Sequence, residues 1–167
     1  FLIIGNDNAI SYKEFFEFVK QNRVWNGYGK VKEFIQPDGT TKKFGNIGWY
    51  TNLDTTKRRE KLTLYKKYDP KNYQKYDNYN AIEVSKVSDI PLSYEGVMGV
   101  PVTFLDKYNP DQFEILGITD RDPNSKYRVK MYSKKDSPKY NDLNRRAAIK
   151  VNNELKPTYA RLLIKSK

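Results

Sequence analysis

The chain begins with an apolar run at residues 1–4 that has no polar alternation and closes on Gly5 and Asn6. This pattern is typical of a strand that is buried on both faces, as in a parallel sheet. Residues 8–22 then have apolar side chains at helical spacing, and Ser11 with Glu14 forms a capping-box pattern. A strand followed by a helix predicts half of a βαβ unit. Because a parallel strand needs neighbours, we expect part of its sheet to precede residue 1.

Most of the remaining chain has strand-like patterns. Pro37, Asp38 and Gly39 separate two such runs, 31–36 and 42–53, and predict a β-hairpin. Further strand-like runs lie at 81–87, 99–105, 113–119, 127–132, 146–151 and 159–167. Asn152 and Asn153 predict a closing hairpin between the last two runs.

Residues 56–80 interleave eight Lys or Arg side chains with five tyrosines and only three acids. Basic side chains neutralise phosphates and tyrosines stack on bases, so the mixture favours a nucleic-acid groove. The alternative is a solvated loop whose tyrosines cover a thin core, and the pattern leaves both interpretations open.

Two local motifs have similar alternatives. Trp49 and Tyr50 are consecutive in a predicted strand and therefore face opposite sides, so we expect one of them in the core, and the family resemblance described below implies that the other faces a substrate cleft. Asn109 and Pro110 fit the cap and first position of a short helix, and the functional alternative is a DNA-contacting loop.

Composition narrows the classes of function. The chain has 31 Lys and Arg against 20 Asp and Glu, a net charge of +11, and such a surface attracts polyanions, most commonly nucleic acid. Cysteine and histidine are both absent, which excludes disulfides, thiolate metal sites and His-activated nucleophiles, and we expect a cytoplasmic protein. No apolar stretch approaches the ~20 residues of a membrane span, so we expect no membrane association.

The catalytic patterns that carboxylates or glycines could form are weak. A nuclease of the Pro-Asp…(Asp/Glu)-x-Lys type would need a lysine after Glu114, and none follows at that spacing. Gly45 and Gly48 lack the Gly-Lys-Ser/Thr ending of a phosphate-binding loop. We therefore predict no metal site and no catalytic residue in this chain.

Several long strings resemble one family. They are "FLIIGNDNAISYKEFF", "GNIGWYTNL", "GVMGVPVTFLDKYNPDQFEILGI" and "YARLLIKSK". These resemble the C-terminal portion of EcoRI-type adenine-specific (N6) DNA methyltransferases of bacterial restriction-modification systems, with the weakest similarity at 54–80 and 120–145. In that family an S-adenosylmethionine-dependent, Rossmann-like domain methylates the exocyclic amine of adenine, and downstream segments help to recognise DNA.

The resemblance implies an α/β fold, or α+β for the isolated chain. Residues 1–53 would be the terminal strand-helix-hairpin of a Rossmann-like methyltransferase sheet, and 54–167 a β-rich DNA-recognition region. The adenine-binding Asn-Pro-Pro-Phe segment and the cofactor-binding strand would precede residue 1. We therefore expect the chain to be inactive alone, with no S-adenosylmethionine bound, and to expose Leu2 and Ile4 along an open edge that pairs with the upstream catalytic domain or a second copy.

The candidate contacts to double-stranded DNA are the aromatic side chains near the predicted cleft and the clustered basic side chains. They are Trp25, Tyr28, Tyr50, Lys57, Arg58, Arg59, Lys61, Lys134, Lys135, Arg145 and Arg146. A stand-alone nucleic-acid-binding domain without catalysis is the alternative function.

Overall fold

The structure is a computed structural model that describes residues 1–30 and 32–167, without the side chains of Tyr28 and Lys30. The chain divides into two compact units, unit 1 (Phe1–Arg58) and unit 2 (Arg59–Lys167). Both mix α and β structure in several small sheets with few helices, which confirms the coarse fold class.

Unit 1 is built around a three-stranded antiparallel sheet with the order β1-β5-β2. Its elements are β1 (Leu2–Asn6), a 3₁₀ turn (Asp7–Ser11), α1 (Lys13–Lys20), β2 (Trp25–Lys30), β3 (Glu33–Ile35), β4 (Thr41–Lys43), β5 (Ile47–Thr51) and α2 (Thr56–Arg59). Phe16 and Val19 of α1 are buried, and the Phe15 ring meets the Tyr50 ring edge-on at 4.7 Å. The helical spacing of these side chains places them on the face of α1 that is directed towards the core of unit 1.

The first strand differs from the prediction of a buried parallel strand. β1 pairs antiparallel with β5, with Leu2 opposite Thr51 and Asn6 opposite Ile47. Its apolar side chains are about half exposed, from 45% at Ile4 to 55% at Leu2. The exposure expected at Leu2 and Ile4 is therefore confirmed. Within this chain the neighbour of β1 runs antiparallel to it, and a parallel partner from upstream of residue 1 stays a prediction.

The capping box predicted at the start of the helix does not form. The Ser11 hydroxyl donates to the Asn8 carbonyl at 2.8 Å, inside the preceding 3₁₀ turn, and α1 begins two residues later at Lys13. The 3₁₀ turn uses the serine locally, so the backbone of α1 has Tyr12 as its cap without a side-chain hydrogen bond.

The hairpin predicted around Gly39 forms, but its second arm is shorter. β3 and β4 pair antiparallel, and Gly39 takes a positive φ of 81° in the turn. Asp38 accepts hydrogen bonds from the backbone and hydroxyl of Thr40, which fixes the turn. The predicted arm 42–53 is split, because β5 joins the sheet of β1 and β2 instead.

Unit 2 has a four-stranded sheet with the order β6-β7-β11-β8 and a separate β9-β10 hairpin. Its elements are β6 (Ile82–Glu83), β7 (Met98–Pro101), β8 (Phe113–Ile118), α3 (Tyr140–Arg145), β9 (Ala148–Val151), β10 (Glu154–Pro157) and β11 (Arg161–Ser166), with 3₁₀ turns at Val87–Asp89 and Val102–Lys107. β11 is one of the two inner strands, and its Leu162, Leu163 and Ile164 are fully buried. A continuous apolar run is what a strand with two covered faces requires.

Two predicted features of unit 2 are changed by the tertiary structure. Residues 127–132 form no strand beyond one bridge between Arg128 and Tyr79. The Asn152-Asn153 turn forms, with φ of 51° and 63°, but it joins β9 to β10, and β11 lies in the other sheet. Two residues with positive φ match the twist of a tight hairpin, which is why the turn itself was readable from sequence.

Three of the five tyrosines in residues 56–80 lie in the core and do not line a groove in which bases could stack. Tyr73, Tyr76 and Tyr79 are 1–6% exposed and belong to the core of unit 2, whereas Tyr65 is 82% exposed. For these three rings the core interpretation is correct.

Candidate nucleic-acid interface

Trp25 and Arg58 contact each other inside unit 1. The Arg58 guanidinium lies 3.5 Å from the centroid of the Trp25 ring, and it donates to the Asn22 side chain. The indole N–H of Trp25 donates to the Leu53 carbonyl at 3.0 Å. Arg58 is only 8% exposed. This cation–π pair holds α2 against β2, so both side chains are committed to the fold of unit 1.

Tyr50 is a core residue. It is 4% exposed, and its hydroxyl donates to the Asn6 carbonyl at 2.9 Å. Burial, together with the negative charge of Asp7, raises the pKa of Tyr50 to about 12. Because no face of the ring is open, the predicted contact with DNA is corrected to a core role, and its neighbour Trp49 is the half-buried member of the pair. The predicted Tyr28 side chain lies outside the described part of the chain.

The basic cluster predicted at 57–61 is divided by the boundary between the units. Lys57 and Arg58 belong to unit 1, while Arg59 and Lys61 belong to unit 2 and are exposed. The backbone after Arg59 is fixed by side chains from the loop before β8. Asn109 Nδ2 donates to the Arg59 carbonyl at 3.0 Å, and Gln112 makes a reciprocal pair of 2.8 Å bonds with the Leu62 backbone.

Asn109 therefore has a structural role. It is 1% exposed, and its Oδ1 accepts from the Asp111 N–H at 2.8 Å. The predicted cap is present, but it closes a turn at Pro110 rather than opening a helix, because β8 begins at Phe113. Burial excludes Asn109 as a direct DNA contact.

The positive charge of the chain is concentrated in residues 126–157, which we call the basic module. This segment has ten Lys or Arg against three acids, so it carries +7 of the total +11. Lys134, Lys135 and Arg145 are exposed there. Arg146 is instead half-buried and paired with Asp120, and burial lowers its pKa. Three of the four basic residues predicted in this region therefore face solvent.

Asn78, just before the first strand of unit 2, holds the basic module in place. It is fully buried, and its Nδ2 donates to the carbonyls of Leu143 and Arg146 at 3.2 and 2.9 Å. Its Oδ1 accepts from the Ala148 N–H at 2.7 Å. One amide thus connects the end of α3 to the start of β9.

Asp77 provides a second anchor. Its carboxylate accepts from the Tyr132 hydroxyl at 2.8 Å and pairs with Lys130 at 3.4 Å and Lys150 at 3.2 Å. Burial acts to raise the pKa of Asp77, but the hydrogen bonds from Tyr132 and Lys150 and the charge of Lys130 outweigh it and place the pKa below its ordinary value. This anchor joins residues 130–132 to β9.

A buried polar network lies in the main sheet of unit 2. Arg161 on β11 makes hydrogen bonds of 2.7–3.2 Å to the carboxylate of Glu83 on β6, which also accepts from the Tyr76 hydroxyl. Burial raises the pKa of Tyr76 well above its ordinary value, and the charge of Glu83 acts in the same direction. Sequence reasoning missed this network. The signal for it in the sequence was one charged residue in each of two strand-like runs, Glu83 in 81–87 and Arg161 in 159–167.

Neither a metal-binding cluster nor a membrane-spanning helix is found in the described ranges 1–30 and 32–167. Within them no three Asp or Glu side chains converge to hold a metal ion. Among the same residues, no helix has the length and apolarity to cross a membrane. The exposed basic side chains of the basic module remain the best candidate site.

Comparisons with known proteins assign the chain to a family. A family model described as adenine-specific methyltransferase EcoRI matches residues 1–167. The chain belongs to the EcoRI adenine-specific methyltransferase family. The resemblance seen in the sequence strings is therefore confirmed.

Curated type II methyltransferases are similar to most of the chain. The type II methyltransferase M.EcoRI of Escherichia coli is 44% identical, covering 73% of this chain and 45% of the relative. The type II methyltransferases M.MgeORF184P of Mycoplasma genitalium and M.MpnI of Mycoplasma pneumoniae are 36% and 34% identical, each covering 70% of this chain and 43% of the relative. The chain thus spans less than half the length of these relatives. No solved structure matches it.

Proposed function

We propose that this chain is the DNA-recognising portion of an adenine-specific (N6) DNA methyltransferase of a bacterial restriction-modification system. The intact enzyme would use S-adenosylmethionine and act in the cytoplasm. The chain would bind double-stranded DNA and would be inactive alone. Membership of the family supports the methyltransferase part of this proposal, and the basic module supports the DNA-binding part.

The concentration of charge is the single observation that carries the DNA-binding proposal. Outside residues 126–157 the positive and negative side chains of unit 2 almost cancel, at twelve Lys or Arg against eleven acids. The basic module is also firmly anchored, by Asn78 and Asp77, so its exposed lysines have a fixed framework. A fixed, strongly positive surface is suited to phosphate contacts on a duplex.

DNA binding measured against salt concentration tests this proposal. A labelled duplex is titrated with the full chain by fluorescence anisotropy, for wild type and for the double variant Lys134→Ala/Lys135→Ala. Each lost phosphate contact lowers the slope of log affinity against log salt by about 0.9, so the double variant should lose about 1.8.

A matched double variant removes equal charge from unit 1. Lys13→Ala/Lys20→Ala changes two exposed lysines of α1, and we expect its salt slope to stay close to that of wild type. Equal slopes for all three proteins would contradict the assignment of phosphate contacts to the basic module.

Inactivity alone is tested with tritium-labelled S-adenosylmethionine. The proposal predicts no transfer of label to DNA by the full chain. Transfer would contradict it, whereas DNA binding without transfer is also what the alternative, a stand-alone nucleic-acid-binding domain, predicts. The compact core of unit 2 around β11 favours that alternative.

The exposed edge of β1 supports a further partner. We propose that residues 1–4, which are 45–55% exposed, are covered in the working enzyme by its catalytic portion or by a second copy of the chain.

A further inference from the structure

Residues 128–132 of the basic module have side chains that alternate between two environments. Arg128 donates to the Tyr79 hydroxyl at 2.7 Å, and Lys130 and Tyr132 both contact the Asp77 carboxylate. These three side chains therefore point towards the rest of unit 2 and hold the segment in place.

The two side chains between them point outwards. Val129 is 64% exposed and Met131 is 53% exposed. The backbone around them is fixed, because the Val129 N–H donates to the Asn78 carbonyl at 3.1 Å, and Asn144 pairs with the N–H and carbonyl of Tyr132 at 2.9 and 2.8 Å. The structure thus displays two apolar side chains on a rigid support.

The surroundings of this apolar pair are strongly basic. Lys126, Lys134 and Lys135 are exposed in the same stretch, and the basic module carries a net +7. A surface that only contacted phosphates would not need exposed apolar side chains among its lysines. A DNA groove offers both partners, since phosphates line its rim and thymine 5-methyl groups are the apolar features of its major-groove floor.

We propose that Val129 and Met131 contact thymine methyl groups in the major groove while the neighbouring lysines contact phosphates. This inference rests on the proposed function, because it requires that the basic module binds duplex DNA. It adds direct contact with bases, through apolar side chains, to a surface that charge alone would make indifferent to sequence.

Removal of the methyl groups from the DNA tests the inference directly. The full chain is titrated with an alternating adenine–thymine duplex, in which every base pair carries a methyl group, and with the same duplex containing deoxyuridine in place of thymidine. We expect tighter binding to the thymine duplex, by about fourfold for each methyl group buried.

The double variant Val129→Ser/Met131→Gln should bind both duplexes equally and keep the salt slope of wild type. Both positions are exposed, so the thermal unfolding of this variant should match wild type. Leu92→Ser, at an apolar residue of unit 2 that is 60% exposed, is the matched control and should keep the preference for thymine.

The failures of the two proposals can be separated. Equal affinity of wild type for the two duplexes, with DNA binding intact, would overturn the thymine contact and leave the proposed function standing. A thymine preference that persists in the double variant would also overturn it. Absence of DNA binding at low salt would overturn the proposed function and this inference together.

Discussion

Replacement of Asn78 by alanine should strongly destabilise unit 2. The side chain is fully buried and makes three hydrogen bonds, to the carbonyls of Leu143 and Arg146 and from the N–H of Ala148. Alanine cannot make any of them. The change therefore separates the end of α3 from the start of β9, which are the two elements that the amide joins.

The size of the effect follows from these contacts. Three hydrogen bonds at about 1 kcal/mol each give about 3 kcal/mol, and the buried N–H of Ala148, left without its acceptor, brings the loss to about 4 kcal/mol. The free energy of unfolding of a domain is about 5–15 kcal/mol, so this loss is a large fraction of it. We expect the melting temperature to fall by about 15 °C or more.

Urea unfolding of the full chain, followed by far-ultraviolet circular dichroism, measures the loss. Hydrogen exchange adds local resolution, because the Ala148 amide should exchange much faster in the variant. Asn80→Ala, at an exposed side chain two residues away, is the matched control and should stay within about 0.5 kcal/mol of wild type. A loss below 1 kcal/mol for Asn78→Ala, with slow exchange at Ala148, would refute the proposed role of the amide.

The pH dependence of stability should show the contribution of Asp77, whose pKa lies below its ordinary value. The ionised carboxylate therefore stabilises the fold above about pH 4. This stabilisation is lost as the pH falls through the pKa of the folded state. Asp77→Asn should therefore flatten the fall of the urea midpoint between about pH 5 and 3, and an unchanged fall would exclude this linkage. Gly99→Ala should cost about 1–3 kcal/mol, since a Cβ there would lie 2.7 Å from Tyr76 Cε2 and displace the ring. Gly117→Ala in the same sheet meets only Leu163 at 3.9 Å, so thermal unfolding should separate the two variants, and equal melting temperatures would contradict the packing argument.

Helix and turn signals were the most reliable features of the sequence. The apolar spacing in α1 and the turn residues at Gly39 and Asn152-Asn153 produced the elements they predict. Strand register and the choice of neighbouring strand were predicted less reliably from the sequence. The second arm of the first hairpin and the partner of β9 were both misjudged, because a strand pattern specifies which face is apolar and leaves open which strand will lie beside it.

The candidate interface was only partly readable. Clustered charge indicated a polyanion surface, but the sequence pattern pointed mainly to residues 56–80, and Lys134, Lys135, Arg145 and Arg146 were predicted only as individual contacts. Arg58 packs on the Trp25 ring and Tyr50 lies in the core. Neither side chain is therefore exposed for the DNA contact that the sequence analysis predicted. The exposed apolar pair Val129 and Met131 appeared only as part of an expected strand.

By itself the sequence determined the family, the local elements and the overall positive charge, since these depend on residue types and spacings within short stretches. Only the tertiary structure decided which charges and rings face solvent. The partners that bury Asn78 and pair Glu83 with Arg161 lie 65–78 residues apart along the chain. Contacts over such separations are set by the packing of the whole unit, and a local pattern contains no information about them.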